Sequence, residues 1–158
     1  MIYNNTAVRR QDRLLPENEA RELLASGEYG VLSVITGENI PYGIPISYAW
    51  DGENSVYLHS APEGRKISAL LTPANVSFCV VGKTKVIPEK FSTFYESIIL
   101  TCRAVKGLSP EEKKKALMLL VDKYSPDHPE KGSRYADAAV KGTEIIRLDI
   151  IEWSGKKK

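Results

Sequence analysis

Runs of period-two alternation, cut every few residues by glycine- or proline-bearing turns, limit this chain more than any other feature. In "GIPISYAW" (Gly43 to Trp50), Ile44, Ile46, Tyr48 and Trp50 alternate with small or polar residues, the mark of a strand with one buried face. "YGVLSVIT" (Tyr29 to Thr36) precedes it, and "SVYLHS" (Ser55 to Ser60) follows "DGEN", whose Asp-Gly pair is a hairpin signal. These three runs read as an antiparallel meander. "NVSFCVVG" (Asn75 to Gly82), "YESIILTCRAVK" (Tyr95 to Lys106) and "TEIIRLDIIEW" (Thr143 to Trp153) bring the count to six. Between the fourth and fifth, "KTKVIPEKFSTF" reads as a loop with a proline in it.

Few helical segments interrupt the series. Leu15-Pro16 opens a short helix that begins with acids, carries Ala20, Leu23 and Leu24 on one face and stops at Gly27,. Another opens at Pro62. The strongest is "SPEEKKKALMLLVDKYS": Ser109 caps it, Pro110 takes the first helical position, and Glu112 completes a capping box,. Its stripe of Leu117, Leu120, Val121 and Tyr124 is expected to face the core, and a short helix is expected at Ser133 to Val140. Strands joined mostly by hairpins leave edges, which closure into a small barrel removes. The expected class is therefore α+β with an antiparallel barrel core. The βαβ alternation of a doubly wound sheet is missing.

Composition bounds the rest. A chain of 158 residues, 42% hydrophobic and 27% charged, suits one globular domain with its own core; residues 1–10 and 156–158 are expected to be flexible. The net charge of +2 is outweighed by three terminal lysines, and no basic stripe with interleaved aromatics points to nucleic acid. No apolar run is long enough to span a bilayer, and the first twenty residues contain no continuous apolar stretch, so a cytoplasmic protein with no membrane partner is expected. Cys79 and Cys102 each sit in a strand-like run and read as reduced, buried hydrophobes. His59 and His128 have no companion at ligand spacing, and no metal is expected.

One segment departs from ordinary helix chemistry. After "YLHS", a proline and a glycine lead to Arg65 and Lys66, two cations at a helix start where the backbone dipole favours acids. Each is unfavourable there by a few tenths of a kcal/mol, but both become favourable around a phosphate, Arg as a fork and Lys as a point charge, with Ser60 as a further donor. Two readings stay open at this level: an anion site, or a solvated helix start. No Walker loop or dinucleotide glycine pattern is present, and no Ser/His/Asp set or carboxylate pair stands out.

The segments "PYGIPISY", "LHSAPEGRK" and "VIPEKFSTFYES" resemble the nitroimidazole-resistance (Nim) branch of the pyridoxamine 5'-phosphate oxidase-like, flavin-binding split-barrel family. The resemblance runs from about Arg10 to Ser125 and includes the final "IIEWSGK". It implies a six-stranded split β-barrel with flanking helices, forming a homodimer with flavin at the subunit interface. Ser60, Arg65 and Lys66 would hold the FMN phosphate, and Tyr42, Gly43, Ile44, Pro45 and Ile46 would line the isoalloxazine ring. His59 would lie near flavin and substrate, and Trp153 would cover the partner's flavin. Each has a plainer alternative: Pro45 as an edge or bulge, His59 as a structural histidine, Trp153 as core. The branch has His where Arg65 stands and Gly where Cys102 stands; Arg65 strengthens the phosphate reading, and Cys102 is assigned no role.

The implied activity is transfer of electrons from a reduced nicotinamide donor to a small acceptor such as a nitroimidazole, with no side-chain nucleophile required. FMN and FAD both remain open. A flavin-binding module without turnover is the second reading. A haem-binding barrel with His59 as axial ligand is the third and weakest, because haem has no use for a phosphate clamp.

Overall fold

The structure is a computed structural model that describes residues 1–70 and 73–158; Leu71, at the end of the helical stretch read from Pro62, lies outside the described residues. The strands are β1 (Ile2–Tyr3), β2 (Gly30–Ile35), β3 (Pro41–Ile46), β4 (Tyr48–Trp50), β5 (Ser55–Ser60), β6 (Ala74–Ile87), β7 (Ser92–Val105) and β8 (Glu144–Lys157). The helices are α1 (Glu17–Ser26), α2 (Arg65–Ala69), α3 (Pro110–Tyr124) and α4 (Pro129–Ala139). The sheet runs β3-β2-β6-β7-β8-β5-β4, with β1 beside β8. Its two ends, β3 and β4, are halves of one strand broken at Ser47. The sheet thus closes on itself through a single continuous segment, giving the expected α+β split barrel; the described residues form eight strands rather than six, because the Gly43 to Trp50 run divides in two and Ile2–Tyr3 adds a short one.

That break revises the meander. The middle run pairs with β2 through its first half, Leu32 opposite Ile44, and with β5 through its second, Tyr48 opposite Leu58. The core lies inside: Leu32, Phe78 and Leu100 follow one another across β2, β6 and β7, each fully enclosed and each contributing about 1.5–3 kcal/mol by burial. Tyr48, beside the break, is also fully buried. Its ring meets Phe78 edge-on at 5.2 Å, and its hydroxyl donates to the Leu24 carbonyl of α1 at 2.7 Å.

α1 forms as read, with Ala20, Leu23 and Leu24 buried, and Gly27 donates to the Leu23 carbonyl at its end. Gly27 is required for closeness rather than for a left-handed turn: a methyl there would lie 2.6 Å from Val80 Cγ1 and 2.7 Å from the Tyr48 hydroxyl. In α3 the Ser109 hydroxyl accepts from the Glu112 N–H. The Glu112 carboxylate, however, turns to Arg147 at 2.6 Å, so only half of the expected capping box forms. Arg147 also grips Asp149, and Lys113 approaches Glu144 at 3.4 Å; together these ties seat α3 on β8. α4 begins earlier than read, at Pro129.

Three further expectations change. "KTKVIPEKFSTF" is mostly strand: Thr84 to Ile87 pair with Tyr95 to Ser92, and the β-branched residues among them favour that conformation. The turn is a short 3-10 segment ending at Phe91, which is left-handed and fully exposed. Both chain ends read as free are paired, Ile2 with Glu152 and Lys157 with Glu96, and Lys157 meets Glu19 at 2.6 Å. Lastly, Leu117 and Leu120 are buried as expected, but Tyr124 is 39% exposed.

Candidate functional site

Two segments far apart in sequence meet at the edge of the barrel. β3 has β2 on one side only, so Pro45 sits on an edge strand, where a residue without a backbone donor is tolerated. Along β3, Tyr42 and Ile44 are half-buried while Gly43 and Pro45 are exposed; Ile46 turns into the core and is the member of the run most given to packing. The Arg65 guanidinium lies 4.3 Å from the centre of the Tyr42 ring, a cation–π stack. The predicted ring-edge run and the predicted phosphate clamp therefore touch.

The cations stand where β5 gives way to α2. Gly64, at φ 118°, makes the turn that only glycine takes readily,, and α2 has no acid in its first turn. At five residues it offers little dipole, so the side chains must do most of any anion binding. Burial depresses the pKa of the Lys66 ammonium. His59 is held below its ordinary value, first by desolvation and then by the charge of Lys66, and is therefore neutral near pH 7. Ser60 is half-buried beside it, opposite Glu144 of β8. Lys106 donates to the Ile67 carbonyl at 2.9 Å, closing the other end of α2.

Among the described residues neither Arg65 nor Lys66 forms an ion pair with a carboxylate. A half-buried lysine beside an exposed arginine, both without a counter-ion, suits an anionic ligand such as a phosphate. The residues present therefore fit the phosphate end of a flavin. Trp153 does not join them. It is 1% exposed, packs edge-on against Tyr3 at 4.7 Å and lies 5.7 Å from the Arg21 guanidinium, which is the core placement. Eight positions separate it along β8 from Ile145, the partner of His59, or on the order of 25 Å of extended strand. Cys102 is likewise buried, with its thiol pushed up to about 12 by desolvation. Among the described residues no group of three His, Cys, Asp or Glu could hold a metal ion, and no helix is long and apolar enough to cross a membrane.

On the other side of His59 a cavity of about 580 Å³ opens between the barrel and helices α3 and α4. Ser47, at the strand break, and His59 form its barrel wall. Leu117, Leu120, Val121 and Tyr124 form the α3 wall, and His128, Lys131, Gly132 and Tyr135 the α4 wall. Both histidines of the chain thus line one cavity, although their spacing in sequence suggests no partnership. The stripe read as core is in part the wall of this space. The α4 residues, which sequence reasoning missed, carry a usable signal: they fall at i, i+3, i+4 and i+7, one face of a helix. The Tyr124 hydroxyl accepts from the Tyr48 N–H at 2.9 Å and donates to the Glu28 carbonyl at 2.7 Å, fixing the end of α3 beside the break. A second space of about 490 Å³ lies across Ser47 and Tyr124, reaching Pro45 and Glu28.

A barrel closed through a broken strand, with a cation pair at its rim and helices against one flank, defines the split-barrel class. Residues 16–157 match the family model described as pyridoxamine 5'-phosphate oxidase, and the chain belongs to that family. Among solved structures it is similar to a candidate 5-nitroimidazole antibiotic resistance protein from Bacteroides thetaiotaomicron, with TM-score 0.75 and 23% identity, covering 91% of this chain and 86% of that one. It is also similar to the conserved hypothetical protein Rv2991 from Mycobacterium tuberculosis, with TM-score 0.78 and 17% identity, covering 94% and 88%. The flavocytochrome Anf3 from Azotobacter vinelandii gives TM-score 0.74 and 20% identity over 95% and 71%. At these identities the similarity is one of fold. No curated protein matches the chain.

Proposed function

We propose that this protein binds FMN and uses it to pass electrons from NADH or NADPH to a small acceptor of the nitroaromatic kind. The observation that carries the reading is the contact of Arg65 with Tyr42 at 4.3 Å, beside a half-buried Lys66 whose pKa burial lowers. It joins the segment suited to a phosphate with the segment suited to a ring edge. When bound, the flavin supplies the redox chemistry; the chain supplies placement. Arg65 and Lys66 would hold the phosphate with Ser60, and the backbone of β3 around Gly43 would lie along the ring. His59, neutral and exposed, would present one ring nitrogen as donor and the other as acceptor toward the cavity. The same clamp would serve the corresponding phosphate of FAD.

The assembly that fits this reading is a homodimer. By strand register Pro45, Val31, Cys79 and Ile99 form a row on the outer face of the sheet. Ile99 is 51% and nearby Val81 56% exposed, an apolar band of the kind that marks an interface. Because Pro45 belongs to both the band and the ring-edge run, a partner seated there would adjoin the flavin.

The purified protein should show the near-ultraviolet and visible bands of an oxidised flavin, bleached anaerobically by NADH or NADPH and restored by a nitroimidazole. Arg65→Ala with Lys66→Ala should weaken flavin binding by roughly 2 to 5 kcal/mol, two charge-assisted contacts. Full flavin occupancy in the dialysed double variant would refute the clamp. Bound flavin that no nicotinamide donor bleaches would favour a carrier or sensor. The fold similarity to a flavocytochrome gives haem a place among the outcomes, and a Soret band would establish it.

A further inference from the structure

We propose that the cavity between the barrel and helices α3 and α4 is a binding pocket for a small aromatic carboxylate, with His128 and Lys131 holding the carboxylate. In naming the chemical class of the acceptor, this rests on the flavin reading above. The cavity, about 580 Å³, far exceeds the needs of an inorganic anion, so its occupant has a body as well as a charge. The α3 side offers Leu117, Leu120 and Val121 to that body, and Tyr135 stands opposite on α4, an aromatic side chain suited to stacking.

The permanently charged side chain among the lining residues is a cation, Lys131, with the imidazoles of His128 and His59 as further polar groups, and no Asp or Glu lines the cavity. Lys131 forms no ion pair among the described residues, and as the N-cap of α4 His128 makes no side-chain capping bond. Both side chains are therefore free to turn to a ligand. A cavity with an apolar wall and a lysine at its rim favours an aromatic ring that carries a carboxylate, a carboxylated nitroaromatic included, over the same ring without the charge or an inorganic ion. Its walls are firmly placed: a methyl on Gly132 would come within 2.2 Å of Val121 Cγ1, so α3 and α4 are in direct contact there.

The test is calorimetric titration of the whole protein with benzoate and with its neutral analogue benzamide. Benzoate should bind at least about 10-fold more tightly, the usual worth of a charge-assisted contact. His128→Gln with Lys131→Gln should bring the two ligands within about 2-fold of each other, whereas Lys131→Arg should retain the preference. Thermal melts confirm that the variants are folded, which is expected because both side chains are exposed. Equal affinity for the two ligands, or an unchanged preference in the double variant, overturns the proposal. Flavin content is read separately from the visible spectrum. Flavin-free protein that still prefers benzoate counts against the flavin reading alone, and flavin-loaded protein with no preference counts against this proposal alone.

Discussion

Replacing Lys123 by Met should stabilise the protein near neutral pH, and the gain should fade as the pH rises through the lysine's own titration. The Lys123 ammonium is shut off from water and has no hydrogen-bond partner. It stands 3.6 Å from the centre of the Tyr48 ring, the side chain that anchors the broken strand to α1. Two effects oppose each other there. The ring face attracts the cation by roughly 0.5 to 2 kcal/mol, while loss of water destabilises it and lowers its pKa to about 8, from the usual 10.5. On a fully dehydrated group that depression would correspond to about 3 kcal/mol. The ammonium itself is enclosed but the residue as a whole is only half-buried, so nearby solvent still screens the charge and reduces the figure to about 1 to 2 kcal/mol. Because the folded pKa lies below the unfolded one, the unfolded chain binds more protons between about 8 and 10.5, and stability rises with pH across that window. Met keeps the apolar stem without the charge. The measurement is urea unfolding of both proteins at several pH values, compared as a difference so that other titrating groups cancel. Lys123→Met should be more stable by about 1 to 2 kcal/mol at neutral pH, with the difference shrinking toward zero above 10. A variant less stable than the parent at neutral pH would mean that the cation–π contact outweighs dehydration, and the reasoning would be wrong.

Two other changes follow from the packing and the outer face. Gly27→Ala places a methyl 2.6 Å from Val80 Cγ1 and 2.7 Å from the Tyr48 hydroxyl; overpacking of this kind should destabilise by about 1 to 3 kcal/mol, seen as a lower urea midpoint with an unchanged slope. Ile99→Glu puts a charge into the exposed apolar row without touching the core, and light scattering should show a shift from dimer to monomer; a variant that remains as dimeric as the parent would place the interface elsewhere.

The sheet was largely legible because period-two alternation reports a buried face directly, and Phe78, Leu100 and Leu148 all lie inside as their runs require. The break at Ser47 was not, since the alternation of Ile44, Ile46, Tyr48 and Trp50 continues unchanged across it. Only the closure of the sheet makes one half of that strand pair with β2 and the other with β5. Trp153 shows the same limit from the other side: an aromatic near a chain end carries no sign of whether it faces a ligand or, as here, Tyr3 and the core.

The site divides along the same line. Arg65 and Lys66 were visible because two cations contradict the local preference of a helix start, and a local contradiction can be read without the fold. His128 and Lys131 contradict nothing, since charged and polar residues on a helix face are ordinary. The apolar stripe of α3 has the same spacing as the polar face of α4, and helical period reports that a face exists without saying whether protein or empty space lies opposite. The contact of Gly132 with Val121 supplies what the period lacks. It brings the two faces together at one end, while β5 offers His59 to the same cavity. The proposed clamp is thus a property of seven consecutive residues, Ser60 to Lys66, whereas the cavity exists only where three elements converge, which is why one half of the candidate site has a signal in the sequence and the other has none.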